Sequence, residues 1–579
     1  MSDGVTAHPA ADEGRLPRWA LPTVFVVAAV ATLPDLFDAL VVKRAVLCLV
    51  MALAIGPLLV RRLRPACGEW FTSAGARLLV AAFALTLVHG LAHLEEAGTT
   101  DRLLVFGLAQ IAAVLGLACA TADEHGLAAD SLGRALRIAS LPVALVAWAQ
   151  ALGWERMLTP GPEEIVAFSG NSTLAGGLLA LGSFAWLSAL SHADARAEAR
   201  AAHDALMARG LPALGLGLVA GAALLTRARG ARYAWLAALL VTSLAVLARR
   251  RRKRLSEQER VETGRTAPSA RAEQDVPDPS PAGLRVAALA VVVGLALASA
   301  VGGVDTLLGR KLEASAPILS GQDLTTNVRL ALWESTTSLV ADSPWLGVGL
   351  GRFRAEFPPY RDPTEAALPG LAGATTEVRH PHDELLLVAA EGGVLAGLAL
   401  ALFLLATLRR AWRRAAFGDG PGVLALALVT YGTALALVQP VWGDPGLLLP
   451  CFAAVGYVWA ARPEEARAWT PTPAVYGVFA ALLLLGLAVL AWPRLDTHMS
   501  LRSFYLRAEE NGGVIEQESF DHLLRAAEVG PGDIDVQRMV ESFGAQFAPM
   551  AATTADKVAV IQAVDRARER LEALAPHAP

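Results

Sequence analysis

The chain has 579 residues, 54% of them hydrophobic, 6% aromatic and 18% charged, with a formal net charge of −4. Apolar runs of about eighteen residues or more recur, each long enough to cross a hydrocarbon core, so the chain reads as a polytopic helical membrane protein. Runs that are apolar on every side exclude a β-barrel, which needs alternating polarity, and no nucleic-acid partner is expected.

From the N-terminus, the polar stretch MSDGVTAHPAADEGRLPRW lacks the basic region and cleavage site of a signal peptide, so the first apolar run is expected to stay as an anchor. Spans follow at 20–36, 44–60, 76–93, 103–121, 136–153, 172–190, 210–226, 231–248, 284–303, 384–408, 421–440, 445–461 and 473–492. Three basic clusters are Arg61-Arg62-Leu63-Arg64, Arg249 through Arg254, and Arg409-Arg410-Ala411-Trp412-Arg413-Arg414. With the N-terminus inside, all three fall on the cytoplasmic side, as the positive-inside rule requires.

The expected fold class is thus an all-α polytopic membrane protein of about thirteen transmembrane helices, with a large extracytoplasmic loop and a small helical C-terminal tail. Residues 1–303 form the N-terminal transmembrane region, 304–383 the large loop, 384–492 the C-terminal transmembrane region and 493–579 the soluble extracytoplasmic tail. Within the first region, 255–282 is rich in Pro, Ser and Glu and reads as a disordered cytoplasmic linker. In the tail, Val558, Ile561, Val564, Ala567, Leu571 and Leu574 recur at helical spacing, which predicts an amphipathic helix. Cys48, Cys67, Cys119 and Cys451 form no CxxC pair, so neither a disulfide framework nor a zinc site is expected.

Arg329 to Gly397 is where Arg, His, Asp, Trp and Gly concentrate between two apolar segments. His380-Pro381-His382-Asp383-Glu384 stands just before an apolar run, so it marks a helix start at the membrane surface. These residues are either plain helix-start residues or include a general base, since histidine titrates at about 6.5. Two histidines flanking a proline are poorly spaced for one metal ion.

Arg227, Arg229 and Arg232 join two spans on the extracytoplasmic side, against the positive-inside rule. Their anionic partner is either lipid headgroups or a phosphate or pyrophosphate substrate, which guanidinium binds bidentately. Arg329, Arg352 and Arg354 add positive charge to the same face. The run Gly347-Val348-Gly349-Leu350-Gly351 lacks the flanking strand of a nucleotide loop and reads as a tight re-entrant turn. His89, His93, Glu95 and Glu96 read as a solvated helix end rather than a metal site, and Asp35, Asp38 and Lys43 could pair with one another or line a lipid-entry groove.

Taken together, Arg329-x-x-x-Trp333, Asp342-Ser343-Pro344-Trp345-Leu346-Gly347-Val348-Gly349-Leu350-Gly351-x-Phe353, His380-Pro381-His382-Asp383-Glu384-Leu385-Leu386 and Glu391-Gly392-Gly393 resemble the bacterial O-antigen ligase and O-antigen polymerase family. Gly170-Asn171, Ala228-Arg229-Gly230 and the acidic stretch ending at Lys43 are weaker matches. The chain departs from the family pattern at Asp383, where Asn is usual, at Ala228, where Ser is usual, and at Ala396, where Gly is common.

The resemblance implies a metal-independent, inverting glycosyltransferase without a cofactor, acting on the extracytoplasmic face of the bacterial inner membrane. Its donor would be a glycan on undecaprenyl pyrophosphate, and its acceptor a glycolipid such as lipid A-core, a glycan or a protein. It implies His382 as the base, with His380 in reserve, and Arg229 and Arg329 on the pyrophosphate. Arg227, Arg232, Arg352, Arg354, Asp383 and Trp333 complete the expected substrate-binding set. A polymerase or a protein O-oligosaccharyltransferase remains open within the family. A transporter is the competing class, but it should show internal repeats and midplane charges, and neither is evident.

Overall fold

The computed structural model describes residues 19–31, 39–51, 64–124, 130–154, 167–168, 172–197, 202–226, 228–263, 281–302, 324–363, 378–417, 420–460, 473–551 and 553–576. Long Ala- and Leu-rich runs fold as helices because, away from water, each backbone N–H and C=O must find its partner within its own segment. The order is α1 (Ala20–Val30), α2 (Ala39–Val50), α3 (Arg64–Thr72), α4 (Ala74–Gly90), α5 (Ala97–Glu124), α6 (Ser131–Ala151), α7 (Ser172–Ala197), α8 (Ala202–Leu225), α9 (Arg229–Thr263) and α10 (Pro281–Gly302). It continues through α11 (Leu324–Asp342), the single turn α12 (Phe353–Glu356), α13 (Glu384–Phe417), α14 (Gly420–Ala436), α15 (Pro445–Trp459), α16 (Pro473–Glu510), α17 (Gln517–Val529), α18 (Ile534–Phe547) and α19 (Thr554–Leu574).

Among the described residues, seven helices are long and apolar enough to cross a membrane: Ala97–Ala120, Ser131–Ala151, Ser172–Ala193, Ala208–Leu225, Arg229–Glu259, Gly283–Val301 and Glu384–Phe417. Four shorter apolar helices, Ala20–Val30, Ala74–Leu87, Gly422–Ala436 and Pro445–Trp459, coincide with other expected spans. The expected count of thirteen is therefore reached only in part. Among the described residues the regular elements are all helices, and the length and apolar composition of these spans are those of a multi-pass membrane protein.

α5 and α15 form the centre and cross very closely. A Cβ on Gly116 would fall 1.8 Å from the Ala453 carbonyl oxygen, and one on Gly456 only 1.7 Å from that of Ala113. Small residues are what allow two helix backbones to approach this far without a hydrophobic drive between them. The outer helix α9 turns Leu236, Leu240, Leu244 and Leu247 outward, as a lipid-facing stripe requires. At its far end Arg252 lies over the Phe417 ring at 4.5 Å, so two of the basic clusters meet at one end of the bundle.

Three expectations change. The stretch 255–263 continues α9 rather than opening a linker, because its Glu and Arg residues are good helix formers; 264–280 lies outside the described residues. The tail does not begin as a separate unit, since α16 runs unbroken from 473 through Pro493 to Glu510. In α19 the buried face is Val560, Ala563, Val564 and Ala567, while Val558 and Ile561 are exposed. That register follows from packing on α18, which period counting could not supply. The tail core joins Leu501 and Phe504 of α16 to Phe520, Leu523, Val536, Val540 and Phe547.

Candidate active site

Residues 378–383 form an irregular strap that ends where α13 begins. Asp383 caps the helix, its Oδ1 accepting from Leu386 N–H at 3.0 Å. Trp333, on α11, donates its indole N–H to the Pro381 carbonyl at 3.0 Å, which ties the strap between its two histidines. His382 has φ 58, a left-handed conformation uncommon outside glycine and often found where function demands it.

The His382 ring has a side-chain partner of its own, its Nδ1 lying 3.0 Å from Oε1 of Gln439. An amide oxygen only accepts, so Nδ1 donates and Nε2 keeps a free lone pair. His380 stands edge-on to His382, with ring centroids 4.5 Å apart. Desolvation lowers the pKa of His382, the Gln439 contact opposes that shift, and the positive charge of Arg329 reinforces it. His380 is lowered to about 3 by desolvation, helped by His382 and Arg102. Desolvation raises Asp383, against the backbone N–H groups of Leu386 and Leu385. At neutral pH both imidazoles are therefore uncharged, the form that accepts a proton.

The expected arginines divide into two groups. Arg329 lies one turn before Trp333 on α11 and acts on the His382 ring. Arg229 opens α9, and the next residue approaches Gln439: a Cβ on Gly230 would stand 3.9 Å from Gln439 Cγ. Arg232 donates from Nη2 to the Leu224 carbonyl at 2.5 Å, back onto α8. Arg352 and Arg354 are engaged by protein carboxylates. Arg352 pairs with Glu356 at 2.8 Å and Glu96 at 3.4 Å, beside His93, while Arg354 meets Asp535 at 3.0 and 2.5 Å. Arg227, Asp35, Asp38 and Gly170-Asn171 lie outside the described residues, as does the side chain of His89.

The glycine-rich turn has a structural task. Gly347, Gly349 and Gly351 have φ of 62, 102 and 76, and α13 is broken at Gly393, φ 79. The turn fills the break: Val348 and Gly349 donate to the Ala390 and Glu391 carbonyls at 2.9 and 3.0 Å, and Val394 donates to the Pro344 carbonyl at 2.8 Å. A helix break at membrane depth is tolerable only when its freed backbone groups find such partners. Thr99 clamps the other side, donating to the Leu350 carbonyl at 2.7 Å.

Two residues escape a reading by motif. Gln439 lies three residues past α14, a lone amide at a span end. Arg102 sits on α5 between two buried carboxylates seven residues apart on one face of α13, 3.7 Å from Glu384 and 3.3 Å from Glu391. Glu384 also accepts from Trp442 N–H at 3.2 Å. The signal for both was present, a polar side chain at the edge of an apolar run, but nothing local names its partner.

Against known proteins, the family model described as O-antigen ligase matches residues 214–401. The match supports the O-antigen ligase family and spans Arg229, Arg329, the glycine turn and His382. No curated protein matches the chain.

Proposed function

We propose that the chain, whose residues 214–401 match the family model described as O-antigen ligase, is a membrane glycosyltransferase of the ligase and polymerase type that transfers a glycan from undecaprenyl pyrophosphate to an acceptor hydroxyl on the extracytoplasmic face of the inner membrane. His382 is the general base. Its Nε2 takes the acceptor hydroxyl proton as the oxygen attacks the anomeric carbon from the side opposite the pyrophosphate. The bond from that carbon to the leaving oxygen breaks, its electron pair passes to the pyrophosphate, and the anomeric configuration inverts. Arg229 and Arg329 stabilise the negative charge that grows on the leaving group, as fixed cations do most effectively where water is excluded.

The observation that carries this reading is the neutral His382 ring, oriented by Gln439 and facing the charge of Arg329. A polyprenyl pyrophosphate leaves readily, so a base and fixed cations are sufficient chemistry. The test gives purified protein a lipid-linked glycan together with a glycolipid, a glycan or a protein acceptor in separate reactions. Transfer to the glycolipid supports the ligase form, transfer to one of the others selects the polymerase or protein-glycosylating form, and no transfer to any overturns the reading.

A further inference from the structure

The turn joining α17 to α18 reaches back to the membrane region at three points. The Gly532 carbonyl accepts from Ala97 N–H at 3.0 Å. Asp533, which caps α18, meets Arg494 at 2.5 Å, and Arg494 grips Asp101 through Nε and Nη2 at 3.1 Å each. Asp535 accepts from Arg354 at 3.0 and 2.5 Å and from Arg379 at 3.1 Å. Asp101 adjoins Arg102, and Arg379 stands three residues before His382. One turn of the tail thus holds the start of α5, the turn α12 and the strap that carries the histidines.

The strap has no helix or strand of its own, so its place depends on its ties. Among these ties are Trp333 on the Pro381 carbonyl, Gln439 on the His382 ring and, two residues before Pro381, Asp535 on Arg379. A guanidinium–carboxylate contact is directional as well as attractive, and Asp535 forms a two-point contact with Arg354 while it holds Arg379. The Arg379 side chain is 48% exposed, so this contact adds little stability.

We propose that Asp535 is a positioning residue for the transfer reaction: by holding Arg379 together with Arg354, it sets the place of the 380–383 strap, which makes the soluble tail part of the frame of the active site. This rests on the functional reading above.

The test uses the full chain in membranes and compares Asp535→Asn, Asp535→Glu, Arg379→Gln and the Asp535→Asn/Arg379→Gln double variant. Transfer kcat, KM for the lipid-linked donor, and amide hydrogen exchange over 378–387 are read for each. Asp535→Asn and Arg379→Gln should each lower kcat about tenfold or more with donor KM little changed, because small misplacement of a base is costly. Asp535→Glu should recover most of the rate, the double variant should be no worse than either single one, and exchange over 378–387 should quicken in both singles. Wild-type kcat in Asp535→Asn, additive losses in the double variant, or a raised donor KM with unchanged exchange would each overturn the proposal. If Asp535→Asn does not fold, the half-exposed Arg379→Gln decides alone. If the unaltered protein transfers nothing, the functional reading fails, and the exchange data still decide whether Asp535 holds the strap.

Discussion

His382 Nδ1 lies 3.0 Å from the side-chain oxygen of Gln439, a residue 57 positions later in the chain. That contact selects the tautomer that leaves Nε2 able to accept a proton. His380, whose Nδ1 is buried without a hydrogen-bond partner, has no equivalent contact through that atom. His382→Ala should therefore lower transfer by about 10²- to 10⁴-fold, the usual worth of a general base, while His380→Ala keeps most of it. Initial rates of both variants at matched membrane abundance check this, and equal losses would count against the assignment.

The pH profile carries a second expectation. The neutral imidazole is the active form, so the rate should rise with pH through the His382 pKa, which lies below its ordinary value of about 6.5. Gln439→Leu removes a contact that raises this pKa, so the acidic limb should move to lower pH. Arg329→Gln removes a charge that lowers it, so the limb should move to higher pH. The limb's position is the readout, since both variants also lose rate. A limb unmoved in both would remove His382 from the titration.

Gly393→Ala should destabilise the fold. The position needs φ 79, and a Cβ there would fall 2.4 Å from the Trp345 carbonyl oxygen, where the glycine turn enters α13. The backbone strain alone costs about 1–3 kcal/mol. Gly486→Ala is the control, because nothing lies within 4 Å of a Cβ at that helical position. Melting of the detergent-solubilised protein should drop for the first and hold or rise for the second.

Arg102→Leu would strand Glu384 and Glu391 in a buried, apolar setting, a loss of roughly 3–5 kcal/mol when one partner of a buried ion pair is removed. The variant should accumulate poorly. Adding Glu384→Gln and Glu391→Gln should restore part of the yield, since the uncompensated charge goes with them. Membrane abundance and melting temperature of the unaltered protein, the single variant and the triple variant measure it.

Much of the architecture was legible in the chain because the membrane imposes a local rule: a long apolar run must be a helix, whatever surrounds it. The positions of α5 to α10 and of α13 follow from that rule. So does the helix start at 380–384, where Asp383 caps as its residue type suggests. The glycine turn was legible as a tight turn, but its purpose was not. Glu391-Gly392-Gly393 appears as a motif in sequence, whereas its role as a break filled by residues 344–349 needs both segments side by side.

The sequence by itself determined the class, the helices and the short list of chemical groups, because hydropathy, period and residue type act over a few neighbours. Only the tertiary structure decided which groups work together. It turned Arg352 and Arg354 toward Glu96 and Asp535, brought Gln439 to His382, and set Arg102 between two carboxylates. The reason is physical. A buried polar group in a low-dielectric interior must be satisfied by whatever the folded chain places within about 3 Å of it, and that partner can lie hundreds of residues away.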